Sequence, residues 1–162
     1  MAAEEETGQG PATADTVAGR IADAVDGLAD LWARAAAEAS VRLSPHQLRA
    51  LRALEALPDA NLTTLAVRFD AGLPTVSRLC DRLEAAGLLL REAAPHNRRE
   101  VRLRLTAHGR DVLAEVAALR RRALAEVLYA MAPEERAAAD RGLRAFEAAH
   151  ATTRASPPED GG

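Results

Sequence analysis

From Val17 onward, apolar residues return every three or four positions: Val17, Ile21, Val25, Leu28, Trp32 and Ala35. A helix turning every 3.6 residues collects them on one face, so the spacing predicts a long amphipathic helix over about 16–39. A second helix has a complete start signal. Ser44 is the N-cap, Pro45 follows at the first helical position, and Gln47 at the third completes a capping box. Leu48, Leu51 and Leu54 form its stripe, and Leu57-Pro58-Asp59 ends it. A short helix over about 63–69, a turn at Asp70-Ala71-Gly72 and a helix over about 74–86 come next, with Gly87 as the stop.

The period then changes. Residues 88–92 are a short apolar run, and Ala94-Pro95-His96-Asn97 has the chemistry of a turn. Val101, Leu103 and Leu105 alternate with Arg102 and Arg104, the period of a half-buried strand. The two runs predict a β-hairpin. Thr106 caps a further long helix with Val112, Val116, Leu119, Ala123, Val127 and Leu128 on one face, and Pro133-Glu134-Glu135 opens a last one carrying Leu143 and Phe146. The fold class expected is mainly α with a small β-hairpin, an α+β chain.

Length and composition narrow this further. At 162 residues, one domain with tails is expected. The 39 alanines favour helix, and all 21 basic residues are arginine. Residues 1–14 are acidic without apolar period, and 155–162 are rich in proline and glycine, so both are expected to be disordered tails. Cys80 is the only cysteine, which excludes an internal disulfide. No stretch approaches the ~18 apolar residues of a membrane span, and Glu4, Glu5 and Glu6 oppose a secretory leader, so a cytoplasmic protein is expected.

The net charge of -3 conceals an asymmetry. Residues 61–110 hold nine arginines against five acids, a surplus of +4, which leaves -7 for the rest. A basic middle in an acidic chain is the electrostatic footprint of a nucleic-acid reader, although solvated helix faces also carry charge. The helices over about 63–69 and 74–86, joined by a tight turn, form a helix-turn-helix, whose second helix enters the major groove of DNA. Val76, Leu79, Cys80 and Leu83 are spaced to face a core, which sends Thr75, Ser77, Arg78 and Arg82 outward beside Pro74. Short hydroxyls contact base or phosphate, and arginine grips guanine through two hydrogen bonds. A hairpin directly after such a motif is a wing, and Arg98 and Arg99 lie beyond its turn, free to reach an adjacent groove or the backbone.

The run from Leu73 to Leu113, with its TVSRLxDRLExxGL pattern, resembles the MarR family of winged helix-turn-helix regulators. The family's wing signature is D-x-R, five residues, then Leu-Thr. It stands here as Asn97-Arg98-Arg99, residues 100–104, then Leu105-Thr106. The resemblance in element order covers about 16–151. It implies a domain over 15–154, with a winged helix-turn-helix at about 44–113 and dimerisation helices at 15–43 and 107–152. It implies a homodimer on a palindromic double-stranded DNA operator, most often a repressor, with Arg99 as the minor-groove arginine of the wing. It also implies a phenolic or drug-like effector in a cleft between the DNA-binding and dimer regions, to which Trp32 and His46 are the expected contributors. Two departures stand out. Asn97 replaces the wing aspartate and carries no charge to pair with an arginine, which implies a looser wing. Leu73 stands where a serine-type cap usually precedes the proline.

Other chemistry is not written in the chain. There is no nucleophile–base arrangement, phosphate-cradling glycine loop or metal-ligand spacing, so no enzyme, cofactor or metal is expected. His46, His96, His108 and His150 form no i,i+4 pair, which favours ordinary surface or capping roles. Cys80 has the phase of a buried small hydrophobe, and the family's peroxide sensors carry their cysteine near the N-terminal helix, where this chain has none. Trp32 could floor a ligand pocket, but a single aromatic on a helix stripe is more often core or dimer interface; Tyr129 and Phe146 read as interface or core. Arg120-Arg121-Arg122 reads as a solvated face. The competing function is a non-specific or architectural DNA-binding protein, which operator competition distinguishes.

Overall fold

The computed structural model describes residues 13–58, 60–94 and 97–155, and only the backbone of 94, 97–100, 154 and 155. Along these run α1 (Ala14–Ala37), α2 (Pro45–Ala56), α3 (Leu62–Phe69), α4 (Leu73–Ala85), β1 (Leu89–Ala94), β2 (Asn97–Leu105), α5 (Ala107–Ala130) and α6 (Pro133–Ala155). The order is that of a winged helix-turn-helix flanked by long helices, as the sequence pattern predicts. Residues 1–12 and 156–162 of the expected tails lie outside the described residues. Ala14 and Ala155 are helical, because the Thr13 hydroxyl caps α1 by accepting from the Thr16 amide and α6 runs on past its apolar positions.

The chain divides into two units. The first ends at Arg121 and contains the whole core. Each element in it starts from a local signal. Ser44 and Gln47 exchange both capping-box hydrogen bonds, at 3.2 and 2.8 Å. Asn61 caps α3 by accepting from the Thr64 amide at 2.9 Å. The turn into α4 is made by Asp70, whose left-handed backbone (φ 49°) ends α3. Gly87 ends α4 with φ 70°, and the Leu88 amide closes the motif on the Leu83 carbonyl at 2.9 Å. Leu48, Leu51, Leu54, Leu65, Val76, Cys80, Leu83, Leu88, Leu89, Leu103, Val112 and Val116 then bury one shared core.

β1 and β2 pair antiparallel, from Leu89 opposite Leu105 to Ala93 opposite Val101. The next pair is Ala94 opposite Asn97, so among the described residues 98–100 have no partner on β1. The alternation in β2 holds only at the root: Leu103 and Leu105 are buried, whereas Val101 is 44% exposed. Val101 pairs with Ala93 toward the tip of the hairpin, away from the root pair Leu89–Leu105. The Leu103 amide also donates to the Ala60 carbonyl at 2.8 Å, tying the wing root to the loop before α3.

α5 begins where the wing returns. The Thr106 hydroxyl donates to the Gly87 carbonyl at 2.7 Å and accepts from the Gly109 amide at 2.9 Å. One residue thus caps α5 and fastens it to the end of α4. The Ser40 hydroxyl donates to Glu115 at 2.5 Å and its amide donates at 2.9 Å, which holds that carboxyl below its ordinary pKa.

The second unit starts at Arg122 and comprises the end of α5 and α6. Arg136 organises its turn. It donates to the Leu128 and Met131 carbonyls at 2.8 and 3.2 Å and lies over the Tyr129 ring. Among the described residues of this unit none is buried, and Leu143 and Phe146 are each 61% exposed.

Candidate nucleic-acid interface

α4 is amphipathic in the way its sequence demands. Val76, Cys80 and Leu83 are buried and Leu79 is half-buried. Pro74, Thr75, Arg78 and Arg82 are exposed and Ser77 is half-buried. The cap of this helix is Gly72, one residue earlier than the sequence suggests, and it contributes no side-chain hydrogen bond. Leu73 is therefore the first helical residue and stands 50% exposed. The correction follows from the preceding turn, which extends Gly72 and lets its carbonyl accept from the Thr75 and Val76 amides at 3.0 and 3.2 Å.

Thr75, Arg78 and Arg82 line one shallow concavity of about 350 Å³ with Ser44, His46 and Gln47 from the start of α2. His46 thus stands with the α4 arginines. Trp32 lines a separate groove of about 550 Å³ with Ala36, Arg42, Leu43, Leu48 and Arg120. Arg120 is not a solvated arginine. Its guanidinium lies 5.2 Å from the Trp32 ring centroid, and burial together with the nearby Arg52 charge lowers its pKa. Trp32 Nε1 and Arg120 Nε are both buried without a hydrogen-bond partner. No local pattern marks this pairing, because a tryptophan on α1 and an arginine on α5 meet only through the fold.

Arg91 on β1 is the other residue that sequence reasoning missed. Its guanidinium spans to α4, donating through Nη2 to Asp81 at 2.6 Å and through Nη1 to Glu84. Burial disfavours its charge, but the two carboxylates outweigh that and raise its pKa. Among the described residues, neither Arg78 nor Arg82 is in an ion pair. Arg98 and Arg99 lie in β2 at the unpaired positions near the hairpin turn; their side chains, and that of Asn97, lie outside the described residues.

Cys80 sits beneath this surface. Burial pushes its thiol pKa up to about 11 from 9.0, so it stays protonated at neutral pH. A folded state that prefers the thiol loses stability as pH rises above the unfolded value, between about 9 and 11. At pH 8, the folded protein is expected to react with iodoacetamide about 100-fold more slowly than the urea-unfolded chain. Equal rates would show an accessible cysteine of ordinary reactivity instead. Among the described residues no group of three His, Cys, Asp or Glu side chains is placed to hold a metal, and no helix is long and apolar enough to cross a membrane.

Comparison with known proteins agrees with this geometry. Residues 43–101 match the sequence model of the MarR family. The chain is similar to RV1404 from Mycobacterium tuberculosis, with 32% identity, 86% of this chain and 96% of the other covered, and a TM-score of 0.79. It is similar to a MarR family protein from Bacillus stearothermophilus at 26% identity, covering 86% and 99%, with a TM-score of 0.70. Streptococcus pneumoniae FabT, solved in complex with DNA, shares the fold at 17% identity, covering 87% and 99%, with a TM-score of 0.67.

Proposed function

The chain belongs to the MarR family, a family of transcription regulators, and from that premise we propose that it is a sequence-specific double-stranded DNA-binding repressor. It works in the cytoplasm as a homodimer on a palindromic operator. The observation that carries this reading is the outward face of α4, where exposed Thr75, Arg78 and Arg82 stand over a buried apolar face and, among the described residues, neither arginine is in an ion pair. Such a face suits a major groove lined by phosphates and guanine acceptors. Streptococcus pneumoniae FabT, which shares the fold, is solved in complex with DNA, and this supports a DNA partner here.

The dimer reading rests on uncovered apolar surface. Ile21 and Val25 on α1 are 52% and 54% exposed, and no described residue of the second unit is buried. Apolar faces of this kind mark partner surfaces. A second copy supplies the cover and sets two recognition helices about 34–36 Å apart, one duplex turn. The groove at Trp32 suits a phenolic or drug-like effector, whose acceptor atoms would satisfy the unpaired donors on Trp32 and Arg120.

Selection from a pool of random duplexes tests the function. An inverted repeat with half-sites about one helical turn apart is the expected product. A flat pool, with salt-dependent binding of every sequence, would make this an architectural protein. Arg99→Ala is expected to reduce the slope of log K against log salt by about 1, as loss of one phosphate contact does. An unchanged slope would remove the wing arginine from the interface.

A further inference from the structure

Helix α4 carries two arginines, Arg78 and Arg82, and two carboxylates, Asp81 and Glu84, so by itself it is electrically neutral. A neutral helix makes a poor approach to phosphates. Its own spacing makes matters worse, since Asp81 lies three residues after Arg78, the separation at which opposite charges pair on a helix surface. Yet Asp81 does not pair with Arg78. Both carboxylates are engaged by the guanidinium of Arg91, which reaches across from β1. The Arg91 side chain is 25% exposed, against 57% for Asp81 and 40% for Glu84, so it lies deeper than the groups it holds.

We propose that Arg91 is an internal counter-ion of the recognition helix: it draws Asp81 and Glu84 toward the wing root and so leaves Arg78 and Arg82 uncompensated for DNA. The proposal rests on the DNA-binding reading above and adds a positioning residue that touches no nucleic acid itself. Two effects follow from losing it. Two carboxylates beside the interface become unmasked and repel phosphate. Asp81 also becomes free to capture Arg78 at its i,i+3 position.

The test uses full-length protein and two probes: the duplex recovered by selection and a random duplex of equal length. Arg91→Met is expected to weaken binding to the selected duplex by about tenfold or more. Adding Asp81→Asn and Glu84→Gln to that variant is expected to restore binding to within about threefold of the parent, because the charges that needed masking are gone. Asp81→Asn with Glu84→Gln in the parent background is expected to bind both duplexes at least as tightly as the parent. A mere staple between strand and helix behaves differently: the triple variant stays weak, and the carboxylate double variant loses affinity. Either result overturns the proposal, as does an Arg91→Met protein that binds like the parent. If Arg91→Met does not fold, the carboxylate double variant decides alone. A parent protein that binds neither duplex would instead defeat the DNA-binding reading itself.

Discussion

Gly109→Ala lowers the unfolding free energy by about 2–4 kcal/mol. Helix propensity alone argues the reverse, since alanine in a helix is favoured over glycine by about 1 kcal/mol. The reversal comes from a close approach. Gly109 is buried in the first turn of α5, and a methyl group on its α-carbon would overlap the Leu88 carbonyl oxygen and lie 3.0 Å from the carbonyl carbon. That carbonyl belongs to backbone fixed from both sides. The Leu88 amide closes the end of α4, and its oxygen accepts from the Thr106 amide at 3.1 Å. Relief requires α5 to move away from the wing root and to give up the Thr106 hydrogen bonds. Gly19, on the polar face of α1 with Asp23 and Asp26, has nothing within 4 Å of the same position. Gly19→Ala is therefore expected to be neutral or to stabilise by up to about 1 kcal/mol. Urea unfolding of the two variants beside the parent measures both. Equal effects at the two glycines would mean that α5 does not pack on Leu88 as described.

Arg78→Ala weakens binding to the preferred operator by about 1–3 kcal/mol, roughly 5- to 150-fold, and relaxes the sequence preference. The side chain is exposed on the outward face of α4, one turn from its start. Among the described residues it has no competing ion pair, so under the proposed reading it would meet DNA without first breaking one. Arginine presents two parallel donors that match the O6 and N7 acceptors of guanine, and no other base pair offers that edge. Competition titrations of parent and variant on the operator and on random duplex separate base reading from phosphate contact. A loss confined mainly to the operator identifies a base contact. Equal losses on both would assign Arg78 to the backbone.

The features legible in the sequence share one property: they depend on neighbours within a turn or two. The Ser44–Gln47 capping box, the Leu48–Leu51–Leu54 stripe and the core-facing phase of Cys80 are all set by helical spacing, and each is found where that spacing puts it. The same periodicity gives the direction of an apolar face but not what covers it. Val17, Ile21 and Val25 form the stripe of α1 and yet remain exposed. Contacts between elements left no local mark. Arg120 on Trp32, Arg91 on Asp81 and Glu84, and Gly109 against Leu88 each join residues that only the tertiary fold brings together. His46 shows the same limit, because its place at α2 is legible and its neighbours on α4 are not.

Binding of the purified protein to DNA from upstream of its own gene, against random DNA of equal length and across a salt series, tests the central claim most directly. A sequence-specific regulator is expected to prefer a site there by about 10^3 or more, with affinity falling steeply as salt rises. Binding that falls with salt but shows no preference for any sequence, or no binding to either DNA at low salt, would contradict the assignment of α4 as a reader of sequence.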